Sequence, residues 1–327
     1  MNPFEYVRAG SVQDAVSKSS QPGARFLAGG TNLLDLMKYG VESGSLLIDV
    51  SELPLDKVET LPHGGLRIGA AVKNSDLAQH PAVLRDYPML SQALLNGASP
   101  QLRNMATTGG NLLQRTRCGY FYDVAFPCNK RQPGSGCPAF KGFNRMHAIL
   151  GQSEQCIAVN PSDMSVALRA LDAVINVQGP SGARQIPIAE FHRLPADHPE
   201  TDTTLAPGEL IVSVELTPSA SSRHSSYLKI RDRQSYAFAL VSVAAGLAKK
   251  GSSISEARIA LGGVAHKPWR KEEAEQALIG KPATRENFEV AAGILLDGAV
   301  GYEHNRFKIE LAKRAVARSL ESLEGMV

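Results

Sequence analysis

Short apolar runs alternate with helically spaced apolar residues through most of the chain. Ser11 is placed to cap a helix running through residue 17, with Asp14 at the third helical position completing a capping box. Arg25-Phe26-Leu27-Ala28 reads as a strand leading into Gly29-Gly30-Thr31-Asn32, after which Leu33, Leu34, Leu36 and Met37 follow at helical spacing. Residues 46–50 and 66–72 read as further strands, the latter opening after the turn-prone Pro62-His63-Gly64-Gly65. Residues 85–96 read as one helix closed by Gly97, and 164–174 as another capped by Ser162 or Asp163. Strands are expected at 174–177 and 210–216, with a Pro-, His- and Thr-rich loop at 192–208 between them. Beyond a Ser-rich hinge at 218–226 come strands near 227–230 and 259–265, then helices. The last of these sets Ala312, Val316, Leu320 and Leu323 on one face. The pattern is α+β, with a domain break in the hinge.

Composition narrows the function classes. The 327 residues are 43% hydrophobic and 20% charged, as in a soluble globular protein of about two domains. Lys plus Arg number 35 against 32 Asp plus Glu, too even a balance for a nucleic-acid binder or a polybasic membrane anchor. The longest apolar stretch, residues 237–248, is too short to cross a bilayer. Met1-Asn2-Pro3-Phe4-Glu5 lacks the basic start and apolar run of a signal peptide. No internal repeat is present, no His lies in a zinc-protease pattern, and no nucleophile elbow points to a hydrolase.

Two glycine loops carry candidate chemistry. In Gly29-Gly30-Thr31-Asn32, between a strand and a helix, the glycines let backbone approach closely, and successive N–H groups suit a phosphate. Taken alone, a Gly-Gly pair is more often a simple turn, and the spacing matches neither a nicotinamide-binding Rossmann loop nor a P-loop. Thr107-Thr108-Gly109-Gly110-Asn111 is a second loop of the same kind, so that the two together suit the diphosphate of one dinucleotide.

The four cysteines, Cys118, Cys128, Cys137 and Cys156, all lie within 39 residues, spaced C-x9-C-x8-C-x18-C. No close pair suggests zinc, and two disulfides would call for an oxidising compartment. A [4Fe–4S] cluster needs four thiolates converging from a loop, with permissive spacing. From Arg103 to Arg145 there are seven basic residues (Arg103, Arg115, Arg117, Lys130, Arg131, Lys141 and Arg145) and one acid, Asp123. That balance suits an anionic cluster, and equally a basic docking patch. The cluster is the preferred reading, then zinc, then disulfides.

Ala28-Gly29-Gly30-Thr31-Asn32-Leu33 and Thr107-Thr108-Gly109-Gly110-Asn111 resemble the flavin-domain motifs of the xanthine dehydrogenase family, the molybdenum hydroxylases. Arg258-Ile259-Ala260-Leu261-Gly262-Gly263-Val264-Ala265 resembles the C-terminal domain of their medium subunits, and Leu112 to Cys118 and Phe238 to Ala244 are most similar to the periplasmic aldehyde oxidoreductase branch. The resemblance implies a two-subdomain FAD-binding domain of the PCMH/vanillyl-alcohol-oxidase type over 1–220, its subdomains about 1–60 and 61–220, with a Cys-bearing insertion at 114–158. A smaller α+β domain of the CO dehydrogenase flavoprotein type is implied over 225–327. Asn111 and Asp163 stand 52 positions apart, wider than in the typical member, and the extra segment holds all four cysteines. A four-iron cluster in that insertion is what the comparison implies.

The resemblance further implies FAD contacts from Arg25, Phe26, Leu27, Ala28, Gly29, Gly30, Thr31, Asn32 and Leu33, with the pyrophosphate on this first loop. Thr107, Thr108, Gly110, Asn111 and the apolar Ile211 join them; Asp163 matches a family Asp that contacts FAD, and Lys229 a Lys near the flavin. Without the family, Asp163 is equally a helix cap and Lys229 a solvated strand residue. The implied function is electron transfer through FAD to an external acceptor, with no catalytic acid or base on this chain. The partners implied are a large molybdenum-cofactor subunit and a small [2Fe–2S] subunit, with neither nucleic acid nor membrane insertion. Export to the periplasm alongside a signal-bearing small subunit is expected, a cytoplasmic location being the alternative. Competing readings are a xanthine- or aryl-CoA-type flavin subunit and a non-catalytic metal-binding adaptor.

Overall fold

The computed structural model describes residues 1–325 and contains three sheets. Strands β1 (Glu5–Arg8), β2 (Ala24–Leu27) and β3 (Leu46–Asp49) form a parallel sheet in the order β1-β3-β2. Its connections are the helices Val12–Lys18 and Leu33–Lys38, and all four residues of the central β3 are buried. Ser11 caps the first helix by accepting the Asp14 N–H at 3.0 Å. The Asp14 carboxylate reaches Gly10 N rather than the cap residue's own amide, so the reciprocal half of the expected capping box is displaced by one position.

The second sheet is antiparallel, with strands β4 (Val58–Thr60), β5 (Leu66–Gly69), β6 (Val174–Gly179), β7 (Gly182–Pro187) and β8 (Leu210–Leu216) in the order β4-β5-β8-β6-β7. The expected helix over 85–96 is two helices, Pro81–Asp86 and Pro88–Asn96. Pro88 disfavours helical backbone at the residue before it, and Tyr87 breaks the run at φ −142° and ψ 51°. The helix expected over 164–174 runs as Asp163–Ala170, leaving Val174 to open β6.

The third sheet, antiparallel in the order β11-β10-β9, comprises β9 (Ser225–Ile230), β10 (Val241–Lys250) and β11 (Ser253–Gly262). It explains the apolar stretch at 237–248. Val241, Val243, Ala245 and Leu247 pack into one core with the C-terminal helices Arg285–Leu295 and Phe307–Glu324, while Ala244 and Tyr227 point the other way into the core of the N-terminal part. A strand covered on both faces reads as continuous hydrophobicity rather than alternation. Ala312, Val316, Leu320 and Leu323 are all buried, as their spacing predicts. The Ser-rich segment at 218–226 is no loose hinge. Ser219 and Ser222 form a capping box around Ala220–Arg223, and Ser221, Ser222 and Ser225 are buried. Among the described residues no helix is long and apolar enough to cross a membrane.

A buried guanidinium stitches the two parts together. Arg270 donates to Glu275 (2.7 and 2.8 Å), to Asp172 (2.6 Å) and to the Arg169 carbonyl (2.9 Å), while Glu275 also accepts Ile259 N–H. Arg270→Leu leaves the buried Glu275 carboxylate without its counter-ion and is expected to destabilise the fold by about 3 kcal/mol or more. Urea unfolding of the variant against wild type checks this, and Arg270→Leu with Glu275→Leu should recover part of the loss.

Candidate functional site

Two connected clefts meet at the first glycine loop. The smaller, about 310 Å³, has Arg25, Phe26, Leu27, Ala28 and the loop itself along one side, with Thr107, Gly110 and Ile211 opposite. Leu33 lines it as well. The larger, about 890 Å³, starts from the same Gly29 to Asn32 and Gly110 and runs past Asn111 to Asp163 and Lys229. Both volumes fall in the range of sites for sizeable small molecules.

The loop's glycines have different reasons to be glycine. A Cβ on Gly29 would stand 2.0 Å from the Met105 carbonyl oxygen, so Gly29 is required by the protein's own backbone crossing behind it. Gly30 has φ +71°, in the left-handed region that side chains rarely adopt. The turn these two make leaves the amides from Gly29 to Leu33 with no hydrogen-bond acceptor among the described residues. The Nδ2 of Asn32 is buried and likewise has no partner, while its Oδ1 accepts the Arg115 N–H at 3.1 Å. Buried or cleft-facing donors without partners are rare unless something binds them.

The second loop differs, against the expectation of two equivalent amide clasps. Its N–H groups are already used: Thr108 N donates to Val72 O, Gly109 N to Ala70 O, Gly110 N to Thr107 Oγ1, and Asn111 N to Thr107 O. Thr108 is buried outside both clefts, its hydroxyl donating to Val72 O at 3.1 Å. The second loop is thus a wall, anchored to the segment that follows β5. The free amide row belongs to the first loop alone.

At the far end of the larger cleft, Ser162 takes the capping role by accepting Ser165 N–H, which leaves Asp163 free. Its carboxylate accepts Lys229 Nζ at 2.8 Å on one oxygen and the Tyr227 hydroxyl at 2.7 Å on the other. Lys229 is no solvated strand residue; its side chain is 2% exposed and also donates to Asn96 O. Burial and the Asp163 charge raise the Tyr227 hydroxyl well above its ordinary pKa, so it stays a donor. Ser162, expected as a helix cap, also donates its hydroxyl to Asn111 Oδ1 at 2.7 Å, whereas Tyr227 has no role in the sequence reading. For Tyr227 a signal existed: two positions before Lys229 on a strand, it shares that residue's face.

The cysteine segment is a long loop held by side-chain amides. Asn129 clamps Gly136 and Gln155, and Asn144 Nδ2 binds Ala139 O. All four cysteines are free. Burial pushes the Cys118 and Cys156 thiols up to about 12 and the Cys137 thiol in the same direction, and each of these three lies within electrostatic reach of Cys128. Among the described residues, however, no group of three or more His, Cys, Asp or Glu side chains is disposed to hold a metal ion. The expected four-thiolate centre is therefore not assembled in this structure. The local excess of positive charge is also largely neutralised by acids from elsewhere in the chain. Arg115 pairs with Glu42 and Asp202, Lys130 with Asp202, Arg117 with Asp35, and Arg145 with Asp232. Counting charges along the segment could not register these long-range partners.

Comparison with known proteins bears on this geometry. Residues 2–219 match the model described as the FAD binding domain in molybdopterin dehydrogenase, and 226–323 the CO dehydrogenase flavoprotein C-terminal domain. The chain is 54% identical over 322 residues, 98% of each sequence, to the aldehyde oxidoreductase FAD-binding subunit PaoB of Escherichia coli (strain K12). It is 30% identical to the glyceraldehyde dehydrogenase medium chain of Sulfolobus acidocaldarius, over 85% of this chain and 82% of that one. Among solved structures, a carbon monoxide dehydrogenase from Hydrogenophaga pseudoflava superimposes with a TM-score of 0.77 at 26% identity, covering 99% of this chain and 98% of that one. With a strand-loop-helix cleft of unpaired amides matched by both halves of a known architecture, the chain belongs to the FAD-binding medium subunits of the molybdenum hydroxylases, a family of oxidoreductases.

Proposed function

We propose that this chain is the FAD-carrying electron-transfer subunit of a molybdenum-dependent aldehyde oxidoreductase. The observation that carries the reading is the row of unpartnered amides from Gly29 to Leu33 at the mouth of a cleft ending on Asp163 and Lys229. In this reading those amides and Asn32 Nδ2 hold the pyrophosphate, and Thr31 lends its hydroxyl. Arg25 to Ala28, Leu33, Thr107, Gly110 and Ile211 line the dinucleotide. Asn111, Asp163 and Lys229 stand along the side that takes the flavin ring, and Thr108 supports the wall from behind. Bound FAD supplies a carrier that takes up electrons singly and passes on two. The protein's share is to bind, to orient and to keep a neutralised ion pair beside the ring; no side chain is asked to act as acid or base on an aldehyde. The aldehyde assignment rests on the 54% identity to PaoB, a subunit of an aldehyde oxidoreductase.

The same proposal divides the chain at 220–225 and includes a large molybdenum-cofactor subunit and a small [2Fe–2S] subunit as partners. It also includes export to the periplasm together with the small subunit. It extends to a [4Fe–4S] cluster on Cys118, Cys128, Cys137 and Cys156. The donor chemistry supports this extension: four free thiols on one ordered loop, with backbone N–H groups of Tyr120 and Phe121 directed at Cys118 and of Ala139, Phe140 and Ile157 at Cys137. Such amides stabilise sulfur in its anionic, metal-ligating form.

Gly30→Val forces a β-branched residue into a left-handed backbone and should lower FAD content to a small fraction of wild type, read from flavin absorbance of the purified complex. Full retention would move the pyrophosphate away from this loop. Cys128→Ser should abolish the broad iron–sulfur absorption and lower iron by about four atoms per chain, the content of one such cluster, while flavin bands persist. Unchanged iron would remove the cluster from the proposal and leave the flavin reading standing.

A further inference from the structure

A third cavity, about 500 Å³, has no occupant in the reading above, although Asp163 and Cys118 stand on its wall. Tyr120, Phe126, Phe143, Met146, Phe238 and Ala239 make its apolar lining. It abuts the larger cleft, sharing Arg117, Met146, Pro161, Asp163 and Phe238 with it, and on its other side reaches Cys118 and His147. Three of its aromatic residues are exposed to solvent, Phe143 at 64%, Phe126 at 43% and Phe238 at 41%. Aromatic side chains gathered and left wet around a cavity mark a place where apolar surface is covered by something else.

The charges present exclude one class of occupant. Arg117, the one Arg or Lys in the described lining, lies 3.6 Å from Asp35 and donates to the Tyr122 hydroxyl at 2.6 Å. Asp163 is neutralised by Lys229. A nicotinamide dinucleotide would bring phosphates to a cavity with no free cation, whereas an uncharged aromatic ring meets matching surface.

Two polar groups of the lining bear on its chemistry. The Tyr120 hydroxyl accepts Phe143 N–H at 2.8 Å, and its own proton has no acceptor among the described residues. His147 is paired through Nε2 with the Cys118 sulfur at 3.1 Å, and its Nδ1 is buried without a partner. One site thus offers an O–H donor, fit for a carbonyl, and a ring nitrogen, fit to accept from a hydroxyl.

From this combination we infer that the cavity docks a quinone-class electron acceptor beside the flavin. The inference rests on the proposed function for its electron source. The quinone takes two electrons and two protons from fully reduced FAD, its two C=O groups becoming C–OH, and leaves as the hydroquinone; the flavin returns to its oxidised form. Tyr120 O–H holds a carbonyl of the oxidised carrier, and His147 Nδ1 accepts from a hydroxyl of the reduced one.

The test uses the complete flavin-loaded complex and menadione as the probe. Ala239→Trp fills the cavity from a partly exposed position outside the flavin cleft. It should weaken menadione binding to the oxidised complex, measured calorimetrically, by roughly tenfold or more, the scale of about 1.4 kcal/mol. KM for menadione should rise in step, while FAD content and the aldehyde–ferricyanide rate stay at wild-type values. Tyr120→Phe removes one hydroxyl and should weaken binding about fivefold, the worth of a single hydrogen bond. Menadione that fails to bind wild type, or binds both variants as it binds wild type, overturns the inference. So does loss of FAD from Ala239→Trp, which would assign the space to the flavin's own ring. Failure of the underlying function reads differently: aldehyde added without oxygen would leave the flavin absorbance unbleached.

Discussion

A desolvated ammonium resting on a desolvated carboxylate holds the centre of this molecule. Lys229 comes from the sheet of the C-terminal part and Asp163 from the first turn of a helix in the N-terminal part, so their contact crosses the seam between the two. Neither charge would be tolerated there without the other, since the cost of removing either ion from water exceeds what ordinary packing returns. Tyr227 gives the carboxylate a second donor and the Asn96 carbonyl gives the ammonium a second acceptor. The end of the large cleft is therefore rigid and close to electrically neutral, a suitable surface for a redox ring that changes charge as it works.

A second charged cluster positions the cleft's opposite end. Asp202, on the loop between β7 and β8, accepts from Arg115 at 2.7 Å and from Lys130 at 2.5 Å. The backbone of Arg115 in turn fixes Asn32 in the first glycine loop. Glycine loop, cysteine segment and the 192–208 loop are tied at one point. Burial costs Lys130 most of its hydration, yet Asp202 and the Pro199 carbonyl replace it. This arrangement explains how a long segment with little regular structure stays ordered.

The physical consequence for the glycine loops is an asymmetry. Both have the same composition, but a loop binds anions through its N–H groups only if the protein leaves them unpaired. The second loop docks on the Ala70 and Val72 carbonyls, which take the Gly109 and Thr108 amides, while Thr107 takes those of Gly110 and Asn111. The first turns away from its neighbours at Gly30, and its amides face open space.

Much of this was legible in the residue order. Strand and helix positions follow from apolar spacing because burial acts on each local face, and β8 and the C-terminal helix lie where the spacing puts them. The first loop and the clustering of cysteines announce themselves through residue type and proximity along the chain, whereas Asp163 stands out only through the family motif it matches. Tertiary structure alone decided that Pro88 splits one helix into two and that the apolar run at 237–248 leads into a strand, Val241–Lys250, covered on both sides. It also decided that Lys229 is buried on Asp163 and that most basic residues of the cysteine segment are already paired. Periodicity and propensity are local properties; whether a charge or an amide is free depends on partners tens of residues away, which only folding brings within reach.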